Sequence, residues 1–83
     1  MKIIYFSWLR TKAGTPAEEI GLPDGVTTVG GLLDHLGEVR PGLRDVLKTP
    51  GALRCTVNRR YVDPSHPVAA SDEVSIFPPV TGG

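Results

Sequence analysis

Residues 28–39 read TVGGLLDHLGEV. Val29, Leu32, Leu33, Leu36 and Val39 fall at i, i+3, i+4, i+7 and i+10, a single apolar stripe on a helix, and Thr28 stands where an N-cap is wanted. Gly30, Gly31 and Gly37 each weaken such a helix by roughly 1 kcal/mol relative to Ala, so packing must hold it. Pro41-Gly42 ends it. Leu43, Val46 and Leu47 then suggest one or two further helical turns. A helix with one apolar stripe needs an apolar sheet to lie on, and the flanking segments supply one.

Before the helix, Lys2 to Trp8 are rich in β-branched and aromatic residues with near-continuous apolar character, as in a central strand. The segment RTKAGTPAEEIGLPDG (residues 10–25) is punctuated by Gly14, Pro16, Pro23 and Gly25. It leaves room for a short strand around Glu18 to Leu22 before an Asp24-Gly25 turn. After the helix, LRCTVNRRYV (53–62) reads as a strand into a tight turn, with Cys55 and Val57 on one face and Thr56 on the other. DEVSIF (72–77) supplies the last strand. The expected class is α+β: one mixed sheet with one main helix across one face.

Period-two alternation separates the two faces. Val74 and Ile76 oppose Ser75 and Phe77, and Ile3 and Tyr5 oppose Ile4 and Phe6. With the helix covering one side, Phe6, Phe77 and Tyr61 would gather on the other as an exposed apolar patch of the kind that marks a protein partner. Cover by the short helical turn or by a loop is the alternative, and the sequence leaves both open.

Eighty-three residues, 40% hydrophobic and 22% charged, suit one small domain. Lys plus Arg equal Asp plus Glu at nine each, so no basic stripe exists to neutralise a phosphate backbone, and nucleic acid is not an expected partner. The single Cys55 cannot form an intrachain disulfide, and with two isolated His residues it gives no metal-ligand spacing. A cytoplasmic setting is expected. MKIIYFSWLR imitates the start of a secretory signal, but its apolar run is short, broken by Ser7 and closed by Arg10 and Lys12. No segment is long enough to span a bilayer, so no membrane association is expected. Repeats and low-complexity linkers are absent. The scarcity of side-chain amides, with Asn58 alone and no Gln, fits heat adaptation or biased base composition equally.

The last strand runs into FPPVTGG (77–83). Pro78 and Pro79 cannot donate ladder hydrogen bonds, so they end pairing and project an extended tail. Gly82 and Gly83 carry no side chain, so such an end could thread a narrow channel and let a partner approach its backbone. The tail's one ionisable group is the carboxyl of Gly83. A bare Gly-Gly ending is usually an inert terminus. The strand end, the Pro-Pro exit and VTGG together argue for more.

These residues carry a resemblance. MKIIYFSWLR at the front, TTVGGLLDHL in the helix, TVN before a turn, HPV and above all DEVSIFPPVTGG are similar to the small, sulfur-carrying subunits of molybdopterin synthase. Those subunits are ubiquitin-like sulfur carriers with a β-grasp fold. The resemblance covers essentially the whole chain and implies a β-grasp domain over residues 1–77 with an extended tail over 78–83.

It also implies a chemistry. An adenylating enzyme related to ubiquitin-activating enzymes would cap Gly83 with AMP, using ATP and Mg²⁺. A sulfur donor protein would convert the adenylate to a thiocarboxylate, and the tail would enter a large subunit in a heterotetramer. There the sulfur attacks a cyclic pyranopterin monophosphate to build the dithiolene of molybdopterin. Gly83 matches the sulfur-carrying position and Gly82 the one giving access to it. Pro78, Pro79, Val80 and Thr81 match the inserted tail, and Phe6, Tyr61 and Phe77 match partner-facing positions. Tyr61 departs from the aliphatic residue common there. No bound cofactor or metal is implied, and catalytic groups are expected on the large subunit.

Other reactive side chains have plainer readings. Cys55, alternating with Val57, suits packing better than a thiol relay. His35 and His66 have no spaced Ser, Cys or carboxylate to orient them as bases. Glu18-Glu19 suit a solvated strand edge and Asp72-Glu73 a turn. Arg59 and Arg60 could meet an acidic partner, although arginines on a turn are more often simply solvated. Competing functions are a thiocarboxylate donor for another sulfur metabolite, with FPPVTGG arguing against a thiazole carrier; a protein modifier conjugated through Gly83; and an interaction domain whose tail is inert.

Overall fold

The computed structural model describes residues 1–47 and 53–78. Lys2–Tyr5 form β1, shorter than the Lys2 to Trp8 strand expected. The chain leaves the sheet at Ser7, whose φ of 57° is left-handed, and the Leu9 amide closes a turn on the Phe6 carbonyl at 3.2 Å. Leu9–Ala13 then form a helix, α1, which was not among the expected elements. It buries Leu9 and Ala13, one turn apart, and ends at Gly14 with φ 82°, the usual glycine C-cap. The next strand, β2, covers Ala17–Glu19, displaced from the expected Glu18 to Leu22. Ile20 and Leu22 pack against the core from beyond its end.

The main helix, α2, spans Val29–Val39, and the Thr28 hydroxyl accepts the Gly31 amide as its N-cap. Val29, Leu32 and Leu36 are buried, whereas Val39 is 52% exposed, so the apolar stripe fails at its last member. A 3-10 turn at Pro41–Leu43 leads into α3, Arg44–Leu47. β3 (Arg54–Val57), β4 (Arg60–Val62) and β5 (Glu73–Phe77) follow. Asn58 and Arg59 join β3 to β4 with φ 51° and 70°, both positive as in a type I′ hairpin turn.

Among the described residues the five strands form one sheet in the order β2-β1-β5-β3-β4. β1 and β5 run parallel and the other neighbours antiparallel, so the sheet is mixed as expected. Ile3, Tyr5, Val74 and Ile76 from the two central strands are buried with Val29, Leu32 and Leu36 of α2 and Leu9 of α1. No described helix is long and apolar enough to cross a membrane.

One polar cluster pins the helical layer to the sheet. The Tyr5 hydroxyl donates to Glu18 Oε2 at 2.6 Å, and the Arg40 guanidinium grips both oxygens of the same carboxylate. Burial raises the carboxyl's pKa, but the hydrogen bonds from Arg40 and Tyr5 and the Arg40 charge outweigh it and hold Glu18 below the usual range. Burial, with Glu18 beside it, pushes the Tyr5 phenol well up. This corrects one expectation: Glu19 is a solvated edge residue, but Glu18 is half-buried and fully engaged.

Candidate docking face and tail root

The face opposite the helices is built by alternation. Lys2, Ile4 and Phe6 share it with Glu73, Ser75 and Phe77, because the parallel register sets Ile4 beside Ser75. β3 adds Arg54 and Thr56, which pair with Phe77 and Ser75. β4 adds Tyr61 opposite Thr56. Ile4, Ser75, Thr56 and Tyr61 therefore form one row across the sheet. Ser75 and Thr56 are each only 5% exposed. They form part of a groove lined also by Phe6, Tyr61 and Phe77.

The structure brings the three expected aromatics together. Phe6 and Phe77 stack with ring centroids 4.3 Å apart and planes 16° apart, and Tyr61 leans toward Phe77 at 6.0 Å. Phe6 is 39% and Tyr61 69% exposed, so of the two readings left open the uncovered one holds among the described residues. Stacking lets the two rings cover one another in part and leaves their outer surface for a partner. Pro78 follows Phe77 directly, outside the strand and half-buried. Pro79, Val80, Thr81, Gly82 and Gly83, the remaining expected tail residues, lie outside the described residues.

At the other end of this face the charges compensate one another. Lys2 sits in register between Glu19 and Glu73, and Arg59 approaches Glu73 at 3.9 Å. Asn58 donates to Asp72 Oδ1 at 2.9 Å, and its side-chain oxygen accepts the Glu73 amide at 3.0 Å. That donor and the Ala69 amide hold Asp72 below the usual carboxylate range. Asp72 thus organises a turn, as its sequence context suggests.

Of the residues given plainer readings, Arg59 and Glu73 line the aromatic groove, whereas Cys55, His35 and His66 do not. Cys55 is buried, and burial pushes its thiol up to about 11, which suits packing and opposes thiolate chemistry. His35 is half-buried on α2 and His66 lies on an exposed loop. The described residues contain no group of three or more His, Cys, Asp or Glu that could hold a metal ion. Sequence reasoning passed over Trp8, 45% exposed in the turn just after Phe6, because a longer first strand absorbed it. It also passed over Arg54. Its parity with Thr56 was the available signal, since two residues apart on a strand share a face.

The sequence profile of the ThiS family matches residues 3–83. The chain belongs to the ThiS family. Among relatives, the molybdopterin synthase sulfur carrier subunit of Escherichia coli is 35% identical over 83 residues, covering all of this chain and 99% of that protein. Crystallised small archaeal modifier protein 1 from Haloferax volcanii superposes with a TM-score of 0.80 at 30% identity, over 99% of this chain and 97% of that one. A putative molybdopterin converting factor subunit 1 from Pyrococcus furiosus gives 0.79 at 31% identity, over 95% of each chain. This member of the ThiS family is therefore a ubiquitin-like β-grasp protein similar along its length to sulfur carriers.

Proposed function

We propose that the chain is the sulfur-carrier subunit of a molybdopterin synthase and carries its cargo on Gly83. The observation that carries this reading is the placement of the Phe6–Phe77 stack at the root of the tail, in a chain similar end to end to such subunits. Residues 1–77 serve as the handle and 78–83 as the arm. Phe6, Tyr61 and Phe77 dock on the partner while Pro78, Pro79, Val80, Thr81 and Gly82 deliver the terminal carboxyl.

A carboxylate resists nucleophiles because it is anionic and has no leaving group better than oxide. Attack of a Gly83 carboxylate oxygen on the α-phosphorus of ATP, in an adenylating partner with Mg²⁺, releases pyrophosphate and leaves an acyl adenylate whose carbonyl carbon no longer bears the carboxylate charge and has AMP as its leaving group. A sulfur donor then displaces AMP and leaves a thiocarboxylate. In the large subunit that sulfur becomes the nucleophile toward a cyclic pyranopterin monophosphate. Water then returns Gly83 to a carboxylate. The chain's described residues offer no oriented base or nucleophile, so proton transfers and phosphate binding fall to the partners. A reducing compartment, the cytoplasm, suits this cycle.

Intact-protein mass spectrometry after incubation with the adenylating enzyme, ATP, Mg²⁺ and a sulfide source tests the reading. A mass gain equal to exchanging one oxygen for one sulfur is expected, and none in a chain lacking Gly83. The likeness to a protein named as a modifier favours a second reading, conjugation of Gly83 to lysines. Adducts that survive denaturing gels, with no sulfur exchange, would select it.

A further inference from the structure

The face that carries the aromatic groove has an uneven charge distribution. Lys2, Glu19, Glu73 and Arg59 crowd the end away from the tail and compensate one another. At the tail end stands Arg54, exposed and directly opposite Phe77 in the β3–β5 register. Among the described residues Arg54 makes none of the ion pairs, which join Met1 to Glu19, Arg40 to Glu18 and Arg59 to Glu73. A protein surface that closes over Phe6 and Phe77 must also strip water from this guanidinium. Desolvating a charge without a partner is costly, whereas a facing carboxylate offsets that cost and fixes the docking register through a forked hydrogen bond.

We propose that Arg54 docks against a carboxylate of the large subunit, so that this face recognises a partner that is apolar at its centre and acidic beside the channel taking the tail. The inference rests on the reading of the chain as a molybdopterin synthase carrier. It adds a residue that sets which large subunit is accepted. A guanidinium suits this role better than a lysine's ammonium, because its planar fork matches a carboxylate.

The test uses the full-length chain and the large subunit from the same organism, with binding measured by calorimetry at low and high salt. Arg54→Glu should weaken binding by roughly tenfold or more, and Arg54→Lys less. The wild-type affinity should fall with added salt more steeply than that of Arg54→Gln. Arg44→Glu, the same charge reversal at an exposed residue of α3, should leave binding unchanged, and circular dichroism should show every variant folded. Arg54→Glu binding within twofold of wild type would overturn the inference. So would a defect confined to adenylation with large-subunit binding intact, since that assigns Arg54 to the activating enzyme. Failure of the wild-type chain itself to bind the large subunit would instead sink the underlying reading.

Discussion

Tyr5, 1% exposed at the centre of the sheet, places its hydroxyl 2.6 Å from the carboxylate of Glu18 on the neighbouring strand. Because Arg40 binds the same carboxylate, one acidic side chain joins β1, β2 and the end of α2. Its pKa is lowered on folding from an ordinary value of 4.5. The stability it adds is therefore complete above that value and disappears as pH falls through the lower folded one. Glu18→Gln should lower unfolding free energy by roughly 1–3 kcal/mol near neutral pH, with the difference shrinking in acid. Urea titrations at several pH values would reveal this, and a gap independent of pH would assign the effect to shape alone.

Two glycines should respond oppositely to the same change. A Cβ on Gly42 would collide with the Lys12 carbonyl oxygen, where the 3-10 turn crosses α1 with backbone on both sides. Gly42→Ala should cost roughly 1–3 kcal/mol through forced separation. On Gly37 the added carbon meets Arg44 and Leu47 at 3.8 Å, an ordinary contact inside a helix. Gly37→Ala should stabilise by roughly 0.5–1 kcal/mol. Thermal midpoints moving in the same direction would show that the turn has room to shift.

Cys55 should resist alkylation in the folded protein. Its thiol is buried and pushed up to about 11, so at neutral pH almost none of it is thiolate. Iodoacetamide should modify it only in denaturant, while sulfur loading at Gly83 proceeds in a Cys55→Ala chain. Rapid native labelling, or loss of loading in that variant, would make the thiol a participant.

Phe77→Ala should separate docking from folding. It removes the ring that touches both Phe6 and Tyr61 while leaving Val74 and Ile76 in the core. Stability should fall by about 0.5–1.5 kcal/mol through the lost ring contacts. Affinity for the large subunit should fall by roughly tenfold or more. Unchanged affinity in a calorimetric titration would move the docking surface elsewhere.

The main helix, its Thr28 cap, the hairpin and the identities of the two sheet faces were legible in sequence because each rests on local periodicity or turn chemistry. α1 was not. Five residues offer too little periodicity to stand out from a preceding β-rich run, and the break at Ser7 depends on a left-handed backbone that serine seldom advertises. Glu18 was misread for another reason. Its role depends on Arg40, twenty-two positions along the chain, and no local pattern announces such a partner. At the candidate site, Phe6, Tyr61 and Phe77 followed from alternation, yet Arg54 followed from the same rule and was passed over because charged strand residues are usually discounted as solvated.

The parallel pairing of β1 with β5 has a bearing on how the protein matures. The first strand's neighbour at the centre of the sheet is the last strand, so the two must meet across nearly the whole sequence before the central pair can close, a late and entropically demanding event. The residues that carry the tail are the same ones that complete the fold. A molecule that lacks β5 thus loses the middle strand of the sheet together with the residues that join residue 78 to the domain.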